Sequence, residues 1–231
     1  MRVISGSARG RRLLAPQDLR VRPTADRVKE ALFSIIISRE GSLAGKRVLD
    51  LCAGTGSLGI EALSRGAAEA VFVDNHCESA ELISRNIDST GFSGKGRVLV
   101  REALSALRDL EKSADRFDLV FLDPPYRVGL TEKILSGLAV SRLLTDGALV
   151  VAEFASGEVL ATAFGDLQEC DRRKYGDTSV ALFKTVPESS CPDPSPSIPD
   201  LSTRLPTDTW TSLTGGSGSS TGSSSLLPVT P

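Results

Sequence analysis

A single histidine, His76, occurs in 231 residues, alongside one tryptophan, two tyrosines and four cysteines. Cys52, Cys77, Cys170 and Cys191 fall at no metal-ligand spacing, so with one imidazole available no metal site is expected. The same scatter reads as reduced thiols, which points to a cytoplasmic protein. No apolar run approaches the ~20 residues of a membrane span, so no membrane partner is expected. The basic residues at the N-terminus are followed by no apolar stretch, so no secretory signal is expected. Charge of one sign is also lacking overall, with a formal net charge of −2. It is concentrated locally instead. Residues 1–30 carry eight Lys/Arg against three Asp/Glu, whereas 187–231 carry one basic residue, Arg204, against four acidic ones.

What is present is a repeated alternation of strand and helix patterns. Arg2–Ile4 suits a short strand, and the basic segment Ser7–Leu13 suits its return as a hairpin. Thr24–Phe33 reads as a helix with Thr24 as N-cap and Asp26 in the first turn. Its apolar face is read as Val28, Ala31, Leu32 and Ile35 at i, i+3, i+4, i+7, leaving Arg27 and Glu30 to project elsewhere. Then come strand Val48–Leu51, helix Ser57–Arg65 and strand Ala70–Val73. A helix from about Glu78 to Ser89, strand Val98–Val100, helix Ala103–Leu110 and strand Leu119–Leu122 follow. Helix Leu130–Leu138, strand Ala148–Phe154, a short helix over Gly157–Phe164, and strands Leu167–Lys174 and Ser179–Lys184 complete the pattern. Repeated βα units with a terminal hairpin through Tyr175-Gly176-Asp177 imply a mostly parallel sheet with antiparallel pairing at one end. Residues 187–231 are dominated by Ser, Pro, Thr and Gly and are expected to be a disordered tail.

Two stretches carry chemistry. Asp50-Leu51-Cys52-Ala53-Gly54-Thr55-Gly56-Ser57-Leu58-Gly59 leaves the first core strand and opens a helix, and Asp74 ends the next strand. Gly54, Gly56 and Gly59 spell the dinucleotide fingerprint, with an acid about 20 residues on that can hold a ribose. The same residues suit S-adenosyl-L-methionine. It lacks the pyrophosphate that a dinucleotide brings to a helix N-terminus but carries an ammonium and a sulfonium. An acid at Asp50 favours the cationic ligand. Glu102-Ala103, after the third strand, offers an acceptor for an adenine amino group.

The second stretch is Leu119-Val120-Phe121-Leu122-Asp123-Pro124-Pro125-Tyr126. Its apolar run suits a strand covered on both faces. Pro124 and Pro125 cannot donate to a ladder and stop the strand. The stiff turn therefore falls at the carboxyl end of a strand, where open α/β sheets bind ligands. Asp123 and the Pro124 carbonyl offer acceptors and Tyr126 a flat face, a set that suits a planar group bearing NH2. The motif resembles the Asp/Asn-Pro-Pro-Tyr/Phe signature of methyltransferases that use S-adenosyl-L-methionine and modify exocyclic amino groups.

With both stretches placed, residues 1–186 resemble the RsmD family, bacterial enzymes that methylate the exocyclic N2 of a guanine in small-subunit (16S) ribosomal RNA. The resemblance rests on Met1-Arg2-Val3-Ile4-Ser5-Gly6 with Arg9-Gly10-Arg11, on Arg22-Pro23-Thr24-Ala25-Asp26-Arg27-Val28-Lys29-Glu30-Ala31-Leu32-Phe33, on Ala62–Ala67 and on Tyr175–Thr178. Glu102 stands where such enzymes commonly carry Asp. The tail after Val186 is no part of the resemblance.

The resemblance implies a class I (Rossmann-like) methyltransferase with a seven-stranded sheet and a small N-terminal hairpin and helix. The division it implies is an RNA-binding extension at 1–40 and a catalytic domain at 41–186. It places catalysis on Asp123, Pro124, Pro125 and Tyr126. The cofactor would lie against Asp50, Cys52, Ala53, Gly54, Gly56, Asp74, Asn75, Glu102, Ala103, Thr24 and Arg27. Arg2, Arg9, Arg11, Arg12 and Arg22 would bind RNA phosphates. The partner would be 16S rRNA, within a small-subunit assembly intermediate, and the enzyme a monomer. Three rival readings follow in order: an adenine-N6 DNA methyltransferase, an NAD-dependent oxidoreductase, and a non-enzymatic ribosome-assembly factor.

Overall fold

The computed structural model describes residues 1–15, 23–125 and 129–186, with the side chains of 23–25 excepted. Arg22, Tyr126 and the expected tail at 187–231 lie outside the described residues. The elements in chain order are α1 (Pro23–Glu40), β1 (Arg47–Leu51), α2 (Ser57–Ser64), β2 (Glu69–Asp74), α3 (Cys77–Thr90) and β3 (Gly96–Val100). They continue with α4 (Ala103–Lys112), β4 (Phe117–Leu122), α5 (Leu130–Val140), β5 (Leu144–Ala155), β6 (Ala163–Phe164), β7 (Leu167–Tyr175) and β8 (Thr178–Thr185). Among the described residues no helix is long and apolar enough to cross a membrane.

The strands form one sheet in the order β3-β2-β1-β4-β5-β8-β7-β6. The first five pair in parallel, and β8, β7 and β6 are added in antiparallel steps. The chain starts at β1, steps outward to β3, then returns to the other side of β1 for β4. The β1/β4 boundary is therefore a switch point, where the two flanking loops diverge and leave a crevice at the carboxyl ends of the strands.

Alternation along each strand sends side chains to two separate cores. Leu32, Phe33 and Ile36 of α1, Ile60 and Leu63 of α2, and Ile83 and Ile87 of α3 cover one face, against Val48, Phe72 and Phe121. Leu107 and Leu110 of α4 and Ile134, Leu135 and Leu138 of α5 cover the other, against Leu49, Val71, Val120 and Val150. Central strands buried on both faces need the continuous apolar runs seen in Leu119–Leu122 and Leu149–Ala152.

Several expectations are corrected. The sheet has eight strands rather than seven, because Ala163–Phe164 pairs with Leu167–Gln168. The helix expected over Gly157–Phe164 is absent. A tight turn at Gly165 folds Phe164 back onto Leu167, and the Glu158 carboxylate accepts from the Gly129 amide at 3.1 Å. Thr24 is not an N-cap: α1 begins at Pro23, and proline suits a first helical position, having no amide to leave unpaired. The buried stripe of α1 is Lys29, Leu32, Phe33 and Ile36, one residue on from the one expected. Lys29, polar and therefore expected to face outward, turns inward instead.

Lys29 is buried because it serves the N-terminus. Its ammonium donates to the Arg2 carbonyl at 2.7 Å and lies 3.8 Å from the fully buried Glu61 of α2. Burial holds the Lys29 ammonium below its ordinary pKa, against the opposing pull of the Glu61 and Asp26 charges. The Glu61 carboxylate also accepts from the amides of Ile4 (2.7 Å) and Ser5 (3.0 Å) and from Arg65 (2.8 Å). Ser64 donates to the Ser5 carbonyl at 2.6 Å and accepts from the Ala8 amide at 3.0 Å. A Cβ at Gly6 would stand 1.8 Å from the Ser64 carbonyl oxygen, so only glycine allows this approach. Residues 1–13 thus form a small hairpin, with Arg2 bridged to Arg12, welded onto α2.

Candidate active site

A cleft of about 280 Å³ opens at the switch point. Asp50 and Asp123 lie in its wall with the loop Cys52–Thr55 and the start of α2, and Met1 and Ser79 contribute from either side. Asp50 is buried, and its Oδ2 accepts from the Gly59 amide at 2.9 Å. Gly59 is in the first turn of α2, where helix amides lack partners, and the N-cap Gly56 has no side chain to supply one. Burial pushes the Asp50 carboxyl up to about 8; the Gly59 bond opposes this, while the charges of Asp123 and Asp74 add to it.

The glycines divide their work. A Cβ at Gly59 would stand 2.3 Å from the Phe72 ring, and one at Gly56 3.2 Å from Ile83. Both let α2 pack on the sheet. Gly54 has φ +56° and open space where a Cβ would project, so its backbone is free to be approached from the cleft. Cys52 adopts a left-handed φ of 60°, a strained turn at the floor of the cleft, and burial followed by the surrounding carboxylates pushes its thiol up to about 12.

The remaining expected cofactor residues are not among those lining this cleft. Asp74 accepts from the Gly54 amide (2.9 Å) and the His76 amide (3.0 Å), which fixes the glycine loop from behind. Asn75 is exposed at the end of β2. Glu102 is the N-cap of α4, accepting from the Ser105 amide at 3.0 Å, and Ala103 is buried behind it. The amide bonds and the Ser105 hydroxyl hold the Glu102 carboxyl below its usual range, overcoming the larger opposing effect of desolvation. Thr24 lies in the first turn of α1, and Arg27 is exposed.

Asp123 follows β4, and its amide extends the parallel ladder to the Leu51 carbonyl at 3.3 Å. Its side chain is open to an incoming group, Pro124 is buried and Pro125 exposed. Packed protein around the carboxylate still strips enough water to raise it to about 6. Arg2, Arg9, Arg11 and Arg12 are all exposed on the N-terminal hairpin. Arg11 donates to the Ser89 carbonyl at the end of α3, and Arg2 lies 3.7 Å from Asp26.

Sequence reasoning missed several residues. Asn86 of α3 is fully buried and holds both Leu14 and the Thr55 carbonyl. Met1 receives a bond from the Thr55 hydroxyl on its sulfur at 3.3 Å. Glu153 of β5 is pushed up to about 7 by burial and by the charge of Asp123. The available signal was a charged or amide residue interrupting an apolar pattern, as at Glu61 in Gly-Ile-Glu-Ala-Leu and Glu153 in Val-Val-Ala-Glu-Phe.

A parallel sheet of this order, with an acid-floored cleft at its switch point and Asp-Pro-Pro after β4, defines a Rossmann-like methyltransferase. Comparison with known proteins agrees. The family described as Conserved hypothetical protein 95 matches residues 1–184. A Bacillus subtilis relative named "Putative rRNA methyltransferase YlbH" is 37% identical over 184 residues, covering 80% of this chain and 98% of the relative. "Ribosomal RNA small subunit methyltransferase D" of Escherichia coli is 36% identical over 153 residues, covering 66% and 74%. A solved structure titled "Putative methyltransferase yhhF from Escherichia coli" superposes with a TM-score of 0.69 at 30% identity, covering 80% of this chain and 97% of that one. The chain belongs to the RsmD family of methyltransferases.

Proposed function

We propose that this protein transfers a methyl group from S-adenosyl-L-methionine to the exocyclic N2 of a guanine in 16S ribosomal RNA. The observation that carries the reading is the placement of Asp123. It is exposed at the carboxyl end of β4, beside the acid-floored cleft, and is followed by two prolines that rigidify the turn. The names of the relatives supply the ribosomal RNA substrate class.

The residues fit the cofactor. A buried Asp50 near neutrality, with Asp123 and Asp74 close by, is an environment that a cation relieves. Gly54 admits a ligand to the backbone. Asp74 keeps one lone pair on each oxygen for ribose hydroxyls beyond the amides it already accepts. When bound, the cofactor supplies an electrophilic methyl on a positively charged sulfur.

Catalysis by the chain is then chiefly positioning. Asp123 and the Pro124 carbonyl accept the two N2 hydrogens, which aims the nitrogen lone pair and favours charge on that atom. Asp123 would also take the proton that the nitrogen gives up on methylation. Tyr126, by the resemblance, stacks on a base drawn out of its helix.

Residues 1–40 serve as the RNA-binding extension of a catalytic domain at 41–186. Arg2 and Arg12 stand opposite one another in the hairpin, a like-charge pairing that Asp26, 3.7 Å from Arg2, offsets on one side and that an anion beside Arg12 would relieve further. Phosphate meets that need, and affinity would fall steeply with salt. An assembly intermediate of the small subunit is the substrate form, acted on by a single chain.

The test is methyl transfer from labelled cofactor to unmodified small subunits, their naked RNA and duplex DNA, with mass spectrometry of the nucleosides. N2-methylguanosine in RNA, lost in Asp123→Ala, is the expected result. N6-methyladenine in DNA and none in RNA would replace the reading with a DNA methyltransferase.

A further inference from the structure

Glu153 lies on β5 at the position that carries the Leu122↔Ala152 pairing one step further, opposite Asp123. Side chains alternate along a strand. Phe121 and Val151, each two residues earlier, both belong to the core on the α1–α3 face. Asp123 and Glu153 therefore leave the sheet on that same face, on strands ~4.8 Å apart. Asp123 is exposed and Glu153 half-buried. The register places the two carboxylates side by side, and the charge of Asp123 adds to burial in raising Glu153.

The sheet order fixes what that space is for. β1 and β2 lie on one side of β4 and carry the glycine loop and Asp74; β5 and β8 lie on the other. Glu153 is thus on the side of Asp123 away from the cofactor cleft, and it does not line that cleft. Nor is it spent on structure. Among the described residues no hydrogen bond or ion pair engages its carboxylate. Among the described residues the charge that neighbours Asp123 on its other side is acidic too, Asp50 on β1. Lys29, the buried cation of α1, is committed to Glu61 and the Arg2 carbonyl. A second carboxylate beside the first, without a partner among the described residues, calls for a ligand with two adjacent donors.

We propose that Glu153 reads the target base, accepting the N1–H of guanine while Asp123 and the Pro124 carbonyl accept the N2 hydrogens. This rests on the guanine-N2 reading above and supplies its base specificity. Guanine presents N1–H and the N2 amine side by side on one edge. Adenine presents a lone pair at N1 and no amine at C2. An ionised carboxylate is acceptor-only, so it holds guanine and turns its own lone pairs against adenine N1. A site built to bond a substrate N–H strongly rejects an analogue without it.

The experiment uses the full chain at pH 8, where Glu153 is ionised. The guanine that the wild type methylates is located by mass spectrometry, then replaced in the same RNA by 2-aminopurine. That base keeps the 2-amino group but has a lone pair at N1. The wild type should prefer guanine by about 10- to 100-fold in kcat/KM, the effect of one charge-assisted hydrogen bond. Glu153→Ala should lose most of its guanine activity and keep its 2-aminopurine activity, so the preference collapses. Glu153→Gln can donate to N1 and should raise 2-aminopurine methylation above the wild-type rate. Calorimetric titration with S-adenosylhomocysteine tests whether each variant keeps the cofactor site. An equal loss on both bases, or an unchanged preference, overturns the role of Glu153 while leaving guanine methylation standing. No N2-methylguanosine from the wild type overturns the underlying reading instead. If Glu153→Ala fails to bind cofactor, the preference of Glu153→Gln decides.

Discussion

Asn86 grips Leu14 at both ends of its peptide: its side-chain oxygen accepts from the Leu14 amide at 2.7 Å and its nitrogen donates to the Leu14 carbonyl at 3.0 Å. The same nitrogen donates to the Thr55 carbonyl at 2.9 Å. One buried amide therefore ties the segment after the basic hairpin to the glycine loop in the wall of the cleft. Replacing it with alanine strands three backbone groups. Asn86→Ala should lose about 3 kcal/mol of stability by urea denaturation, given a cost of ~1–3 kcal/mol per buried unpaired group. It should also weaken both RNA and cofactor binding. Asn86→Asp, which sets a carboxylate oxygen against two carbonyls, should be no better.

Cofactor binding should release a proton. Asp50 is raised to about 8 in the fold, against 3.8 for the free group. Near pH 7 the empty cleft therefore holds a proton, and a bound cation favours its loss. Calorimetry in buffers of different ionisation enthalpy should show the release, and Asp50→Asn should abolish it. The sign for folding follows the same logic. Between about pH 4 and pH 8 the native state binds a proton that the unfolded chain has lost, so this group makes the fold less stable as pH rises. Asp50→Asn keeps an acceptor for Gly59 and should melt higher than the wild type at pH 8, with little difference at pH 4.

Methyl transfer should fall on acidification through the range from 7 to 6. Asp123 rises to about 6 and Glu153 to about 7, both through burial, and each must be ionised to accept an N–H. The apparent values belong to the pair. A profile of kcat/KM from pH 5 to pH 9 should rise through this window and then flatten. Asp123→Asn retains an acceptor but cannot take a proton, so its kcat should drop by about 100-fold or more.

Gly54 and Gly59 should fail in opposite ways when changed to alanine. At Gly59 the added methyl enters the Phe72 ring, so the loss appears as instability, about 2 kcal/mol by analogy with overpacked cores. At Gly54 the methyl finds open space and meets only the cost of a left-handed φ, ~1–2 kcal/mol. Its larger effect should be on cofactor affinity, read by titration of the folded variant.

The parts of this protein governed by local rules were legible in its sequence. The double proline had to end β4 where it does, so Asp123 could be assigned to a strand end from the chain alone. Gly91 stops α3 in a left-handed conformation, the ordinary place for a glycine after a helix. What failed depended on partners distant in sequence. Lys29 turns inward only because Glu61 and the Arg2 carbonyl await it. The fit of Gly6 against Ser64 joins residues 58 positions apart, and no periodicity reports it. Glu102, expected to accept from an adenine amino group, also caps α4 through the Ser105 amide three residues on, a pairing its spacing already offered.

The antiparallel entry of β8 beside β5 has a consequence for how the family can diversify. It returns the Tyr175–Thr178 turn to the carboxyl end of β5, where the Ser156 amide bonds to the Asp177 carbonyl at 2.9 Å. The rim beyond Glu153 is thus made by a surface hairpin, while the rim beyond Asp50 is made by the core βα crossovers. Lengthening or recolouring that hairpin would alter which RNA surface is admitted without disturbing the glycine loop, so target choice and cofactor use can evolve independently on one sheet.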